Sequence, residues 1–144
     1  MSILRSENAG SSDYPFDCLR RFRHTASSMS DSISELTAQI CAFRDERDWA
    51  QFHNPKEMAV AIAAEAGELL QHFVWQDAGQ SLERVATRRA EIASEMADVG
   101  ILLFEMAANC GVDLGAAMQA KLALNEERYA VAKAKGSNKK YNEL

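Results

Sequence analysis

The sequence has little of what β-sheet and disulfide-rich proteins need. It contains two prolines and three cysteines in 144 residues. β-branched residues are few beside alanine, leucine, glutamate and methionine, a composition that favours an all-α protein. Cys18, Cys41 and Cys110 are odd in number and show no metal-ligand spacing. This pattern argues against a disulfide framework and indicates buried thiols in a reducing cytoplasm.

The chain also lacks a basic excess and a long apolar segment. Its net charge of −5 is opposite in sign to the face that binds a nucleic-acid polymer. The longest apolar run, Val99 to Val112, is interrupted by Glu105 and Asn109, and it is too short to span a bilayer. Because no secretory signal is present either, we expect a cytoplasmic protein with neither a nucleic-acid polymer nor a membrane as partner.

The length suits one domain preceded by a short arm. Serine, glycine and asparagine cluster in residues 6–12, and two serines close the segment at residues 27–28. We therefore expect residues 1–28 to be a peripheral arm and residues 29–144 to form the domain.

Two predicted helices each carry a pair of carboxylates three residues apart. Glu65 and Glu68 lie in the first, and Glu95 and Asp98 lie in the second. Residues at this spacing share a helix face, so each pair can direct its oxygens to one point. Such pairs usually belong to a solvated face. Here, however, Glu65 and Glu95 fall inside the apolar stripes of their helices, and the other two carboxylates lie at the stripe edges.

Carboxylates inside apolar stripes need a cation to offset their burial. An unpaired buried carboxylate is costly, and neither stripe contains a lysine or an arginine. Four converging carboxylates therefore indicate a metal site, and ligation by oxygen alone suits Mg²⁺ or Mn²⁺. A di-iron bundle is disfavoured because it needs Glu-x-x-His on two helices. In this chain His72 stands four residues after Glu68, and the second helix has no histidine.

Capping residues divide the domain into four predicted helices. Asn54 and Pro55 open the second helix, and Gly111 ends the third at the position where glycine is favoured. Ser81 and Asp113 are the expected N-caps of the third and fourth. We predict the helices at about residues 32–47, 55–75, 82–110 and 114–134, with an irregular tail after them.

Two further groups of side chains accompany the acidic helices. The loop at residues 48–55 is rich in tryptophan, phenylalanine and histidine, and it either plugs the end of the bundle or stacks on a planar base. The fourth helix carries a polar, cationic arc beside an apolar stripe, which suits an anionic ligand. The arc consists of Lys121, Asn125, Arg128 and Tyr129.

Divalent ions, cationic side chains and an aromatic loop together favour a site for a nucleoside triphosphate. Ions that bridge phosphate oxygens would neutralise the charge that develops during hydrolysis. The sequence has no glycine-rich phosphate loop, no Ser/His/Asp set and no cysteine nucleophile with a clear base. Metal-assisted hydrolysis is therefore favoured over covalent catalysis.

The combination resembles the MazG-like all-α nucleoside triphosphate pyrophosphohydrolases. Glu65-x-x-Glu68 and Glu95-x-x-Asp98 match the family signature, and residues 43–55, 73–75, 121–129 and 139–144 are similar to its dCTP pyrophosphatase branch. The resemblance covers about residues 33–144. It implies a four-helix bundle that hydrolyses a (deoxy)nucleoside triphosphate to the monophosphate and pyrophosphate. It also implies that the four carboxylates bind Mg²⁺.

The same resemblance implies a base pocket, phosphate contacts and an oligomer. The pocket would use Trp49, His53 and Trp75, and the phosphate contacts would come from the cationic arc of the fourth helix. Family members are dimers or tetramers in which a partner subunit completes the bundle.

The chain departs from the eukaryotic members of the branch at two positions, where Ile40 replaces a histidine and Leu102 replaces a tyrosine. These departures leave dUTP or a broad range of triphosphates open as substrates beside dCTP or a modified dCTP. A non-catalytic helical oligomer with a structural metal is the alternative of another class.

Overall fold

The computed structural model describes residues 32–144, and within that range every regular element is a helix. The predicted all-α fold is confirmed, whereas the predicted arm at residues 1–28 lies outside the described residues. The elements are α1 (Ile33–Asp45), α2 (Pro55–Gln71), α3 (Ala78–Thr87), α4 (Arg89–Asn109), α5 (Leu114–Arg128) and α6 (Val131–Ala134), with short 3-10 turns at Ala50–Phe52 and Tyr141–Glu143.

Helix α4 is the centre of the domain, because α1, α2 and α3 all pack against it, and α1 also contacts α5. Among the described residues the buried hydrophobic side chains are Met58, Ile92 and Ala107. Met58 and Ile92 belong to the stripes predicted for the two acidic helices. Glu105 is also buried, with 4% of its surface exposed. The core is therefore small, and it contains a charged residue, Glu105, whose burial was not predicted from the sequence.

Helices α2 and α5 begin at the positions that were predicted from their capping residues. The Asn54 side chain accepts hydrogen bonds from two backbone N–H groups of the first turn of α2, each at 3.1 Å. Pro55 follows as the first helical residue. The Asp113 carboxylate accepts from the Ala116 N–H at 2.9 Å and caps α5. These side chains satisfy N–H groups that have no partner inside their own helix.

The predicted third helix is wrong, because the structure has two helices in its place. Asp77, and not Ser81, caps α3 by a reciprocal capping box with Gln80. The helical path breaks at Arg88, whose φ of −118° and ψ of 33° are not helical. Just before the break, the Thr87 hydroxyl donates to a carbonyl one turn earlier at 2.9 Å, a side-chain bond that often bends helices.

Several predicted helix ends extend too far. Helix α2 ends at Gln71 and not near Trp75, because residues 72–75 form turns. Helix α5 ends at Arg128, and only the short α6 follows within the range predicted for the fourth helix. Cys41 and Cys110 are free thiols, and the prediction of buried thiols is wrong for Cys110, which is exposed in the turn after α4.

The turn between α4 and α5 is sharp. Gly111 ends α4 with a φ of +65°, a conformation that glycine adopts without steric cost. Of the described helices, none is by itself long and apolar enough to cross a membrane, and α4 and α5, which meet that test only as a pair, are bent by 104°.

Candidate active site

The packing of α2 on α4 brings three of the four predicted carboxylates together. Glu65, Glu95 and Asp98 each offer one oxygen, and these oxygens lie within 4.8 Å of one another. Glu65 and Glu95 are partly buried and Asp98 is exposed, as their positions on the helical wheels predicted. Small side-chain rotations would allow one ion with metal–oxygen distances of about 2.1 Å to bind all three. The donor set therefore fits a hard divalent cation.

Glu68 is not one of the three residues whose oxygens converge, but its negative charge affects the pKa of Glu65. Burial raises the pKa of Glu65, and the negative charges of Glu68, Asp98 and Glu95 raise the same pKa further. None of the ion pairs within residues 32–144 involves these four carboxylates. The cluster thus concentrates negative charge for which the described part of the chain supplies no cation.

We expect the protein without metal to lose stability as the pH rises through the range just above the ordinary Glu pKa. The Glu65 pKa is raised in the folded state. The folded chain therefore binds this proton more tightly than the unfolded chain, and the contribution is lost at higher pH. Melting temperatures in EDTA should show this fall, and Mg²⁺ should reverse it by binding the folded state.

Glu65→Gln serves as the control for that pH dependence. The amide removes the titrating proton and should flatten the dependence in EDTA while reducing the stabilisation by Mg²⁺. An unchanged pH profile in this variant would show that Glu65 is not the responsible group.

A cleft of about 730 Å³ lies between α1, α4 and the aromatic loop. Its wall is largely apolar and includes Ile40 and Leu102. Ala97 also lines the cleft and directly precedes Asp98. The cleft therefore shares α4 with the acidic cluster, and its volume is in the range of small-molecule sites.

A tight turn after α1 brings Trp49 to the cleft. The Trp49 N–H donates to the Arg44 carbonyl at 3.2 Å and the Asp48 N–H donates to the Asp45 carbonyl at 3.0 Å, the paired bonds of a Schellman motif. Asp48 has a φ of +53°, where glycine is the usual residue. The Trp49 ring packs edge-on against Phe43, with 5.9 Å between the ring centroids. It is 43% exposed and lines the cleft.

His53 lies at the wall of the same cleft and is fixed by a polar network that sequence reasoning missed. Its Nδ1 is 2.5 Å from the buried Glu105 carboxylate. The Arg44 guanidinium lies 3.8 Å from the same carboxylate and donates to the Asn109 side chain at 2.5 Å. Asn109 in turn donates to the His53 carbonyl at 3.2 Å. One feature of the sequence pointed to this network, because Glu105 is the single carboxylate within the apolar run of α4.

Trp75 is not part of the cleft within one chain. It follows α2 with a φ of +63°, which is unusual for a residue other than glycine. Its side chain is 95% exposed and does not line the cleft beside Trp49. Its role in binding stays a prediction.

The cationic arc of the fourth predicted helix lies on α5 and its C-terminal end. Asn125 is partly buried, while the other three members are exposed. The Arg128 guanidinium lies 4.7 Å from the centre of the Tyr141 ring, and Tyr129 packs edge-on against the same ring. No ion pair of residues 32–144 joins the arc to the acidic cluster. Its predicted phosphate contacts therefore stay a prediction.

Comparisons with known proteins agree with this all-helical fold. The model of the MazG-like family matches residues 60–144, which include both acidic pairs. The chain is 36% identical over 126 residues to dCTP pyrophosphatase 1 of Homo sapiens, covering 86% of this chain and 72% of the relative. It is also 36% identical to dCTP pyrophosphatase 1 of Mus musculus over 87% of this chain and 73% of the relative.

A solved structure is similar as well. The crystal structure of a pyrophosphatase from Archaeoglobus fulgidus DSM 4304 superposes with a TM-score of 0.65 and 33% identity, covering 68% of this chain and 92% of that one. The family match extends over more than half of the chain, and the curated relatives cover most of it. The chain therefore belongs to the MazG-like family.

Proposed function

We propose that this nucleoside triphosphate pyrophosphohydrolase uses Mg²⁺ to hydrolyse dCTP or a modified dCTP to the monophosphate and pyrophosphate, and so removes surplus or non-standard nucleotides. The observation that carries the proposal is the convergence of Glu65, Glu95 and Asp98 beside an aromatic cleft. Relatives named dCTP pyrophosphatase 1 support the choice of base.

The four carboxylates are proposed to hold the metal. Glu65, Glu95 and Asp98 would supply the nearest oxygens, and Glu68 would complete the set from the neighbouring turn of α2. When bound, Mg²⁺ neutralises charge on the phosphate oxygens and favours attack by water; Mn²⁺ offers the same chemistry. The partly buried positions of Glu65 and Glu95 hold their oxygens in place, since two helices fix them.

The cleft is proposed to bind the nucleobase. Trp49 offers an accessible ring face at its wall, and His53 offers a polar ring that the buried network holds in one position. Ala97, in the wall of the cleft, directly precedes Asp98 on α4. We expect a base in the cleft to direct its phosphates toward the carboxylates.

We propose that a second copy of the chain supplies the remaining contacts. Trp75 would close the base pocket, and Lys121, Asn125, Arg128 and Tyr129 would bind phosphates. One chain leaves large apolar side chains of the acidic helices exposed, a feature of surfaces that bind partners. They include Val60 at 55%, Leu70 at 62% and Met96 at 59% exposed.

We expect the protein to be a dimer or tetramer in solution, because isologous packing would cover these apolar faces. Light scattering after size exclusion should give at least twice the mass of one 15.9 kDa chain. Leu70→Glu should shift the population toward smaller species, while Leu124→Glu on α5, also partly exposed, tests whether any added charge has that effect. A 15.9 kDa monomer at micromolar concentration would contradict the expectation.

A panel of deoxynucleoside and nucleoside triphosphates tests the proposed reaction. Pyrophosphate and monophosphate should appear in equal amounts with Mg²⁺ and not with EDTA, and dCTP or a 5-substituted dCTP should have the highest kcat/KM. A preference for dUTP, or equal rates for all bases, would support the same reaction with another specificity. Intact triphosphates after prolonged incubation would support the non-catalytic helical oligomer.

A further inference from the structure

Glu105 is the charged side chain that the described part of the chain buries most completely. It lies on α4 with 4% of its surface exposed, seven residues beyond Asp98 of the acidic cluster, which is about 10 Å along the helix axis. A carboxylate buried in this way needs partners. Its partners are His53 and Arg44, both of which line the cleft.

The hydrogen bond to Glu105 uses Nδ1 of His53 and leaves Nε2 for a ligand. A carboxylate oxygen accepts hydrogen bonds, so the geometry assigns the donated proton to His53 Nδ1. Nε2, across the ring, has no hydrogen-bond partner among residues 32–144. A carboxylate partner of this kind fixes the tautomer and orientation of a histidine. In the neutral ring, Nε2 is therefore an acceptor.

Two further contacts hold the pair in place. Arg44 extends from α1 to both Glu105 and the Asn109 side chain, and Asn109 donates to the His53 backbone carbonyl. Both the ring and the backbone of His53 are thus tied to α4. The network therefore leaves the imidazole ring little freedom to flip and exchange the positions of Nδ1 and Nε2.

We propose that Glu105 is a positioning residue for base selection, which holds His53 Nε2 as an acceptor for an exocyclic amino group. This inference rests on the proposed function, since it concerns the base of the same substrate. An amino pyrimidine presents an N–H donor to Nε2, whereas a keto pyrimidine presents an oxygen that would face the Nε2 lone pair. Leaving that lone pair without a donor is unfavourable. Glu105 would thereby favour dCTP over dUTP without contacting either nucleotide.

Glu105→Met tests the proposal by removing the acceptor while keeping the length of the side chain. At pH 8, above the ordinary range of a histidine, the ratio of kcat/KM for dCTP to that for dUTP should fall by about 2- to 12-fold, the value of one hydrogen bond. The change should appear in KM for dCTP more than in kcat. Glu105→Gln, whose carbonyl oxygen can still accept from Nδ1, should restore most of the ratio. Glu126→Met places the same replacement at an exposed position on α5 and should leave the ratio unchanged.

A double-mutant cycle separates positioning from general damage to the fold. In a His53→Phe background, Glu105→Met should no longer change the dCTP to dUTP ratio, because the residue acts through the histidine. A ratio that does not change in either background, or that falls equally in both, would overturn the proposal.

Nitrogen-15 NMR of the His53 imidazole gives a readout that does not depend on turnover. The proton should reside on Nδ1 in the unmodified protein and redistribute to Nε2 in Glu105→Met. A proton on Nε2 in the unmodified protein would overturn the proposal even if dCTP is hydrolysed. If no triphosphate is hydrolysed, the proposed function fails while the NMR result still decides whether Glu105 positions His53.

Discussion

Asp98→Ala should lower kcat/KM at saturating Mg²⁺ by more than about 100-fold, because even residues that only support a metal ligand cost 10- to 100-fold when lost. Asp98 supplies one of the three converging oxygens. Its side chain is exposed, so the substitution removes little packing. Loss of one of several mutually repelling carboxylates should also leave the melting temperature in EDTA equal or higher.

The stabilisation by Mg²⁺ should fall together with the activity of Asp98→Ala. Isothermal calorimetry and melting curves with and without Mg²⁺ measure this linkage. Glu68→Ala should abolish turnover in the same way. Glu91→Ala is the matched control, since Glu91 is an exposed carboxylate on α4 that pairs with Arg88 and not with the cluster. Near-normal turnover of Asp98→Ala at saturating Mg²⁺ would remove this residue from the site.

The acidic cluster could be predicted from the sequence because its geometry is local to two helices. The spacing within each pair and the apolar residues around Glu65 and Glu95 follow from helical periodicity alone. The caps at Asn54 and Asp113 are local for the same reason. The contact between the two helices does not follow from periodicity. It was inferred from the free-energy cost of burying carboxylates without a cation.

The His53 network could not be predicted because its partners are distant in sequence. His53 and Glu105 are 52 residues apart, and Arg44 and Asn109 are 65 apart. Periodicity identifies the helix face that carries Glu105, but it does not identify which residue of another element reaches that face. The break at Arg88 was missed for a related reason, since neither glycine nor proline marks it and a threonine side chain competes with the helix there.

The position of Trp75 in a single chain does not account for the role that the sequence analysis predicts for it. Both tryptophans were predicted to contact the base from helix boundaries, yet only Trp49 lines the cleft. Trp75 leaves 95% of its surface exposed at a backbone angle of φ +63°. A large exposed ring on an unusual backbone conformation is consistent with a surface that another chain or a ligand covers. Trp49 is therefore the better position at which to test stacking.

Trp49→Ala should raise KM about 5- to 150-fold, which corresponds to the 1–3 kcal/mol of one base–aromatic stack, and it should lower kcat less. Stacking holds the base equally in the ground state and the transition state, so its loss weakens binding without slowing the bound complex. Phe52→Ala is the matched control, because Phe52 lies in the same loop, is 62% exposed and does not line the cleft. If Trp49 only plugs the bundle end, the variant should lose melting temperature and activity together with no selective change in KM.

Fluorescence offers a direct test of the same contact. Trp49 and Trp75 are the two tryptophans of the chain, so Trp75→Phe leaves Trp49 as the sole indole reporter. With catalysis blocked by Ca²⁺, titration with dCTP should change this fluorescence along a curve that matches calorimetry. Calorimetric binding without any change in the Trp49 signal would show that the base does not stack on this ring, because a stacked base alters the surroundings of the indole directly.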